Sequence, residues 1–316
     1  MEKQSLQRIA FVIALALATT SALHAQDKPA QPASSTQSAA ENAAQAENPV
    51  ERAWHAAAAV AQHGPQTIAL TDQAKLDLPQ GFAFVPAREG RAAMEAMGNS
   101  IGDAFLGLIV PIGDNDAQEW IATLDYEPSG YIKDDDAKHW KSDELLSELK
   151  EGTEAGNERR QRMGFAPLEV TRWIETPAYD DATQRLVWSV ELREKSAAAN
   201  DDNTVNYNTY VLGREGYVSL DFITSESHID AEKPVARRLL SAITFKDGKR
   251  YADFDAKTDH IAEYGLAALI GGIAAKKLGL LAMAGVLFAK FFKLIAVGAV
   301  AIGAALRKFF AGRKAG

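Results

Sequence analysis

Two apolar runs sit at opposite ends of this chain and limit what the residues between them can become. One, from about Tyr264 to Leu306, is interrupted by lysines; the other, Ile9 to Ala18, follows a basic start and precedes small residues. A basic start, an apolar core of about ten residues and a small-residue cut site form the pattern of a secretory signal, so cleavage is expected after Ala25. The short run falls well below the roughly 20 apolar residues that span a bilayer. Residues 1–25 therefore read as a signal peptide and residues 261–316 as a C-terminal membrane anchor with a basic tail.

Within the anchor, Lys276, Lys277, Lys290 and Lys293 divide the apolar run into short pieces. A lysine at the middle of a bilayer costs roughly 2.5–3.5 kcal/mol on insertion scales, less if it snorkels to the surface, which disfavours three separate spans. One transmembrane helix ending at Arg307–Lys314 is the preferred reading, with a helical hairpin turning near Lys290–Lys293 as its alternative. An amphipathic helix on the membrane surface fits less well, because the lysines do not share one helical face. The glycines of this run (Gly265, Gly271, Gly272, Gly279, Gly285, Gly298, Gly303) allow close helix–helix approach, so self-association through the tail is a further expectation. Basic residues at the end place that tail in the cytoplasm and the domain outside, giving a single-pass protein of a bacterial inner membrane with a periplasmic domain.

The ends differ in charge from the middle. After His260 there are eight basic residues and one acid; since the whole chain carries −8, everything before it carries about −15. An acidic soluble part is a poor match for nucleic acid, which demands clustered Lys and Arg. The chain has no Cys, so the exported part rests on its hydrophobic core alone. Residues 26–50 are rich in Ala, Gln, Ser, Pro and Glu and read as a disordered linker. The remaining residues, 51–260, are ample for one core.

Residues 51–260 read as an extracytoplasmic α+β domain, a mainly antiparallel sheet (a meander) with a few helices on one face. Strand alternation is clear in Arg185–Arg193, Asn203–Leu212 and Tyr217–Thr224. The first groups Leu186, Trp188, Val190 and Leu192; the second Val205, Tyr207, Thr209 and Val211; the third Val218, Leu220 and Phe222. Such alternation marks antiparallel strands with one side wet. Residues 213–216 supply a hairpin loop, and Phe105–Ile112 and Trp120–Tyr126 read as further strands. Helices are expected at Glu51–Ala61 with Trp54 as anchor, at Arg88–Met97, at Ser142–Met163 and at Pro234–Ile243, the last opening on its proline.

The phrases GDNDAQEWIATLDYEPSGYIKDDDA, SDELLSELKEGTEAGNERRQRMGF and RWIETPAYDDATQRLVWSVEL, with the tail GLAALIGGIAAKKLGLLA, resemble domain-of-unknown-function family 2167, a family of bacterial membrane-anchored proteins. The resemblance covers nearly the whole chain after the linker. It implies an envelope location and an anchored domain, and it supplies no functional residues.

Chemistry must then be sought in the residues themselves. Asp134, Asp135 and Asp136 form the sharpest acidic run. Counted from Asp125, the segment fits a calcium loop only loosely, with Lys133 at a ligand position and Asp at the place of the bidentate Glu, so a solvated hairpin end is the preferred reading. His139 beside Trp140 follows the run, and the other histidines are scattered without metal-binding spacing. Neither a metal nor another cofactor is expected. A nucleophile elbow and a phosphate loop are both missing, and no catalytic motif is complete. Asn157, Arg159 and Arg160 put polar and basic groups on the second half of the long helix, while Trp173 and Tyr179 flank Pro177 as groove aromatics. Aromatics and Arg favour interfaces, so these residues are the binding candidates. The leading expectation is a binding or scaffold domain for an envelope protein or cell-wall partner. Two alternatives stand beside it: an envelope glycan or peptide hydrolase using acids near Asp134–Asp136, and a subunit of a membrane transport or stress-response assembly.

Overall fold

A computed structural model describes residues 48–271 except 98, 100, 113–119, 163, 199 and 200. The expected signal peptide, nearly all of the expected linker and the apolar run from Gly272 onward lie outside the described residues.

Alternation in the sequence becomes an eight-stranded antiparallel sheet. Its strands, in chain order, are β1 (Gln62–His63), β4 (Phe82–Pro86), β5 (Phe105–Pro111), β6 (Ile121–Glu127), β7 (Leu168–Asp180), β8 (Arg185–Glu194), β9 (Thr204–Leu212) and β10 (Tyr217–Ser225). In space the order is β1-β4-β5-β6-β10-β9-β8-β7, two meanders joined where β6 pairs with β10. A second, three-stranded sheet comprises β2 (Gln66–Leu70), β3 (Ala74–Leu78) and β11 (Ile243–Phe245), in the order β11-β3-β2. The mainly antiparallel α+β architecture is as expected; the second sheet was not legible in the alternation.

The helices are α1 (Pro49–Val60), α2 (Ala87–Ala96), α3 (Ser142–Arg162), α4 (Ile229–Ser241) and the single turn α5 (Ala268–Gly271). Asn48 caps α1, its Oδ1 accepting from Val50 N at 3.0 Å, and Trp54 is fully buried as the anchor of that helix. The fourth helix begins five residues before its expected start, so Pro234 lies inside it rather than at its first turn. Packing decides this: Ile229 is buried in the core, and Glu232 meets Thr224 of β10 in a short contact.

The helices lie on both faces of the large sheet, not on one. On the first face, α4 and the three-stranded sheet cover Phe82, Trp120, Leu124, Val205, Tyr207, Leu220 and Phe222 in one apolar layer. Trp120 stacks on Phe222 at 4.6 Å between ring centroids, with Phe82 edge-on at 5.5 Å. The second face carries two smaller clusters at its ends. At one end α1 and α2 cover Ala83, Val85, Leu108, Val110, Ile121 and Ile223; at the other α3 and the segment Ala262–Ile270 cover Leu186, Trp188, Val190, Leu192 and Leu212.

Gly107 marks the bulge where β5 slips its register against β6. Its φ is +153°, and a Cβ there would lie 2.4 Å from the Val85 oxygen and 2.5 Å from the Phe84 ring. Only glycine fits that close approach.

One expectation fails instructively. β9 and β10 do not have a wet side; every residue of both strands is buried. Leu186, Trp188, Val190 and Leu192 of β8 share the second face with Asn206, Asn208 and Tyr210 of β9, because Leu186 pairs with Tyr210 and Trp188 with Asn208. The apolar side thus changes face between β8 and β9. Polar side chains of the inner strands are enclosed as a result.

Candidate functional site

Between the two clusters of the second face, the inner strands β6, β10 and β9 present polar side chains. Two cross-strand rows define the place. In one, Trp188, Asn208, Asp221 and Thr123 follow one another across β8, β9, β10 and β6; in the next, Leu186, Tyr210, Ser219 and Asp125 do so. Asp125 and Asp221 are therefore diagonal neighbours on paired strands, a relation that sets Cα atoms about 7–8 Å apart. Thr123, Asn208, Ser219, Asp221 and Tyr210 are all buried, whereas Asp125 and the next residue on its face, Glu127, are half-buried. This polar groove between the two clusters is partly exposed at Asp125 and Glu127 and buried at Asp221.

Its electrostatics follow from burial. Loss of water pushes the Asp221 carboxyl up to about 8, and the charge of Asp125 adds to the rise. Asp125 is pushed up to about 7 by burial and by Glu127, with Arg91 of α2 opposing. Glu127 is itself raised by burial, and so is the Tyr210 hydroxyl, well above its usual range. Arg91 spends its hydrogen bonds elsewhere, on the carbonyls of Ile101 at 2.5 Å and Gly102 at 2.8 Å. Two buried polar atoms of the first row meet no hydrogen-bond partner among the described residues: Asp221 Oδ1 and the Trp188 indole Nε1, which sits near the Tyr210 hydroxyl but short of hydrogen-bond geometry. Unpartnered buried groups are costly, so a ligand that satisfied these two would gain from each.

The residues singled out from sequence lie elsewhere and do not converge. Asp136 accepts from the backbone N–H groups of Leu266 (3.1 Å) and Ala267 (2.9 Å), clasping the C-terminal segment to the domain. Asp134 accepts from the Tyr179 hydroxyl at 2.9 Å, a contact that, after burial, raises the pKa of Tyr179. Asp135 and His139 are exposed on and beside the 3₁₀ turn Asp135–Lys138. Asn157 is buried and brackets Leu168 at the start of β7, donating to its carbonyl and accepting from its N–H, both at 2.8 Å. Arg160 is buried too, its Nε donating to Ala166 O at 2.9 Å. Arg159 is in α3, and its side chain is outside the described residues. Trp173 donates from Nε1 to Ser142 O at 3.1 Å and meets Trp188 edge-on at 6.1 Å. These contacts hold α3, β7 and the C-terminal segment together; only Trp173, through Trp188, borders the groove.

Another constellation merits inspection for hydrolytic chemistry. Ser225 Oγ lies 3.0 Å from His228 Nδ1, with Asp202 nearby. The Asp202 carboxylate, however, accepts from Ser227 Oγ at 2.6 Å and Ser227 N at 3.0 Å, and Ser225 is fully buried. No carboxylate orients that imidazole among these contacts, so they form a turn leading into α4. Among the described residues no three acidic or histidine side chains converge as metal ligands, and no helix is long and apolar enough to cross a membrane.

Sequence reasoning passed over Asp125 as the start of a loose calcium loop and Asp221 as a residue of a wet face. The one available signal was a lone charged residue flanked by large apolar neighbours within its strand, Leu220-Asp221-Phe222.

Distant likenesses were found among solved structures. The chain is similar to cyanobacterial PsbP (CyanoP) from Synechocystis sp. PCC 6803, at 12% identity over 57% of this chain and 92% of that one, with a TM-score of 0.36. It is also similar to the Saccharomyces cerevisiae Ran-binding protein Mog1p, at 10% identity over 58% and 96% of the two chains, with a TM-score of 0.33. No function is transferred at such scores. Comparison with curated proteins finds no match. One family model, described as "Protein of unknown function (DUF2167)", does match residues 62–303, from β1 into the apolar tail, and the chain belongs to that family.

Proposed function

We propose that this is a membrane-anchored cell-envelope protein whose α+β domain faces the periplasm and binds an envelope protein or cell-wall partner. The observation that carries the reading is the clasp at Asp136. The apolar run Gly272–Leu306 follows directly from α5, and α5 is packed on the domain through Leu269 and Ile270 and tied by Asp136 to Leu266 and Ala267. A domain seated so firmly at the start of an apolar tail suits one that works close to a bilayer. The signal-like N-terminus and the basic C-terminus favour export with the tail end inside. Self-association through the glycine-rich tail belongs to the same reading.

Reporter fusions after Lys249 and at Gly316 test it. An exported first fusion and a cytoplasmic second one are expected; a cytoplasmic first fusion would overturn the envelope assignment. In-cell photo-crosslinking from the groove, at Glu127, should then recover a discrete envelope component.

A further inference from the structure

The groove of the second face combines three features that no neighbouring contact resolves. Asp125, Asp221 and Glu127 face it with Arg91 as the opposing cation, and Arg91 is already committed to two backbone carbonyls. Asp221 and Trp188 are more than nine-tenths buried and stand in one cross-strand row; Asp221 Oδ1 has no hydrogen-bond partner among the described residues, and the Trp188 N–H has only the Tyr210 hydroxyl close by, short of hydrogen-bond geometry. Aromatic rings line the same place: Trp188, Tyr210 and Tyr217, the last two edge-on at 5.7 Å.

We infer that this groove is a binding site for a primary ammonium group with an oxygen acceptor beside it, the chemistry shared by an amino sugar and the amino end of a peptide. The ammonium donates to the Asp221 and Asp125 carboxylates, supplying the counter-charge that buried Asp221 lacks. The neighbouring oxygen accepts from Trp188 Nε1–H. The faces of Trp188 and Tyr210 suit a cation. A hard divalent cation suits the site less, since calcium takes about six to eight oxygens and the acids here do not converge as a metal-holding group among the described residues.

A sign follows for proton linkage. Burial holds both carboxyls protonated into the neutral range, so an ammonium ligand must displace protons to form its ion pairs. Binding therefore strengthens as pH rises toward the two carboxyl values and turns down once the ligand amine, at about 7.7–8.0 for an α-amino group, loses its own proton. A neutral hydroxylated ligand would show no such gain.

The test is calorimetric titration of the detergent-solubilised full chain with glucosamine and with alaninamide, using N-acetylglucosamine as the uncharged control. Repeating it in buffers of different ionisation heat counts the protons released. Expected are release of protons, an affinity about tenfold higher at pH 7 than at pH 6, where the amines keep their charge, and no binding of the control. D221N, which keeps shape and removes charge, should lower affinity about tenfold or more and reduce proton release; its melting curve verifies folding. W188F should weaken binding severalfold without changing proton release. Stronger binding of glucosamine assigns the amino sugar, and stronger binding of alaninamide the peptide terminus. Equal affinity for the acetylated control, pH-independent binding, unaltered binding by D221N, or no binding of either amine up to about 10 mM each overturns the inference. The pH arm needs no variant and stands even if D221N does not fold. The inference rests on the groove alone, so topology fusions and amine titration succeed or fail separately.

Discussion

The two faces of the large sheet are built from the same strands, yet they solve burial in opposite ways. The first face is apolar from edge to edge, closed by α4 and a second sheet, and centred on the stack of Trp120 and Phe222. The second is apolar only at its ends and holds a polar strip between them, where Asp125 and Asp221 sit with raised pKa values. A face that maximises burial holds a fold together. One that encloses acids without partners sacrifices stability locally, and such sacrifices mark sites of binding or chemistry.

The contrast breaks most sharply on the first face. Phe222→Ala removes a fully buried ring between Trp120 and the core and should cost about 3–5 kcal/mol, read as a lowered denaturation midpoint. If the loss were under 1 kcal/mol, the first face would not be the structural one.

On the second face the sign reverses. The folded Asp221 carboxyl binds its proton more tightly than the unfolded one, because its pKa stands near 8 against an ordinary carboxylate value. Its contribution is thus most favourable at acid pH and is lost as pH rises from about 4 through about 8. Asp221→Asn should flatten this decline and gain about 1–3 kcal/mol at pH 9, measured by urea denaturation across pH. A variant less stable than the parent at pH 9 would show that the carboxylate has a counter-charge in the fold.

A third prediction concerns the clasp between domain and tail. Asp136→Ala removes an acceptor for two backbone amides and should cost about 1.5–3 kcal/mol. Hydrogen exchange should quicken at Leu266 and Ala267 while the β9 and β10 amides stay protected. Global loss of protection would instead make the segment part of the main core. The smallest effect is expected for Tyr179→Phe, which deletes the bond to Asp134 and should cost about 1 kcal/mol, with the groove's amine affinity unchanged.

Much of the architecture was legible residue by residue. The period-two runs in β8, β9 and β10, the 213–216 loop and the anchor Trp54 each specify their element locally, because strand alternation and turn chemistry are short-range properties. Where Pro234 sits was less legible, since proline favours a helix start and only the burial of Ile229 extends the helix ahead of it. The acidic run drew attention through its density, but density records composition; Asp136 proved to hold backbone amides of residues 130 positions away.

By itself the sequence determined the class of the domain, its family and the presence of an apolar run at either end, all properties of local pattern and composition. Which face of each strand would be enclosed was decided only in three dimensions. Alternation says that neighbouring side chains point apart, but the pairing of Leu186 with Tyr210 and of Ser219 with Asp125 decides which sides share a face. That pairing buried the polar side of β9 and β10, brought Asp125 and Asp221 onto adjacent strands, and left both acids short of counter-charge: long-range register, which no local pattern encodes, made the groove.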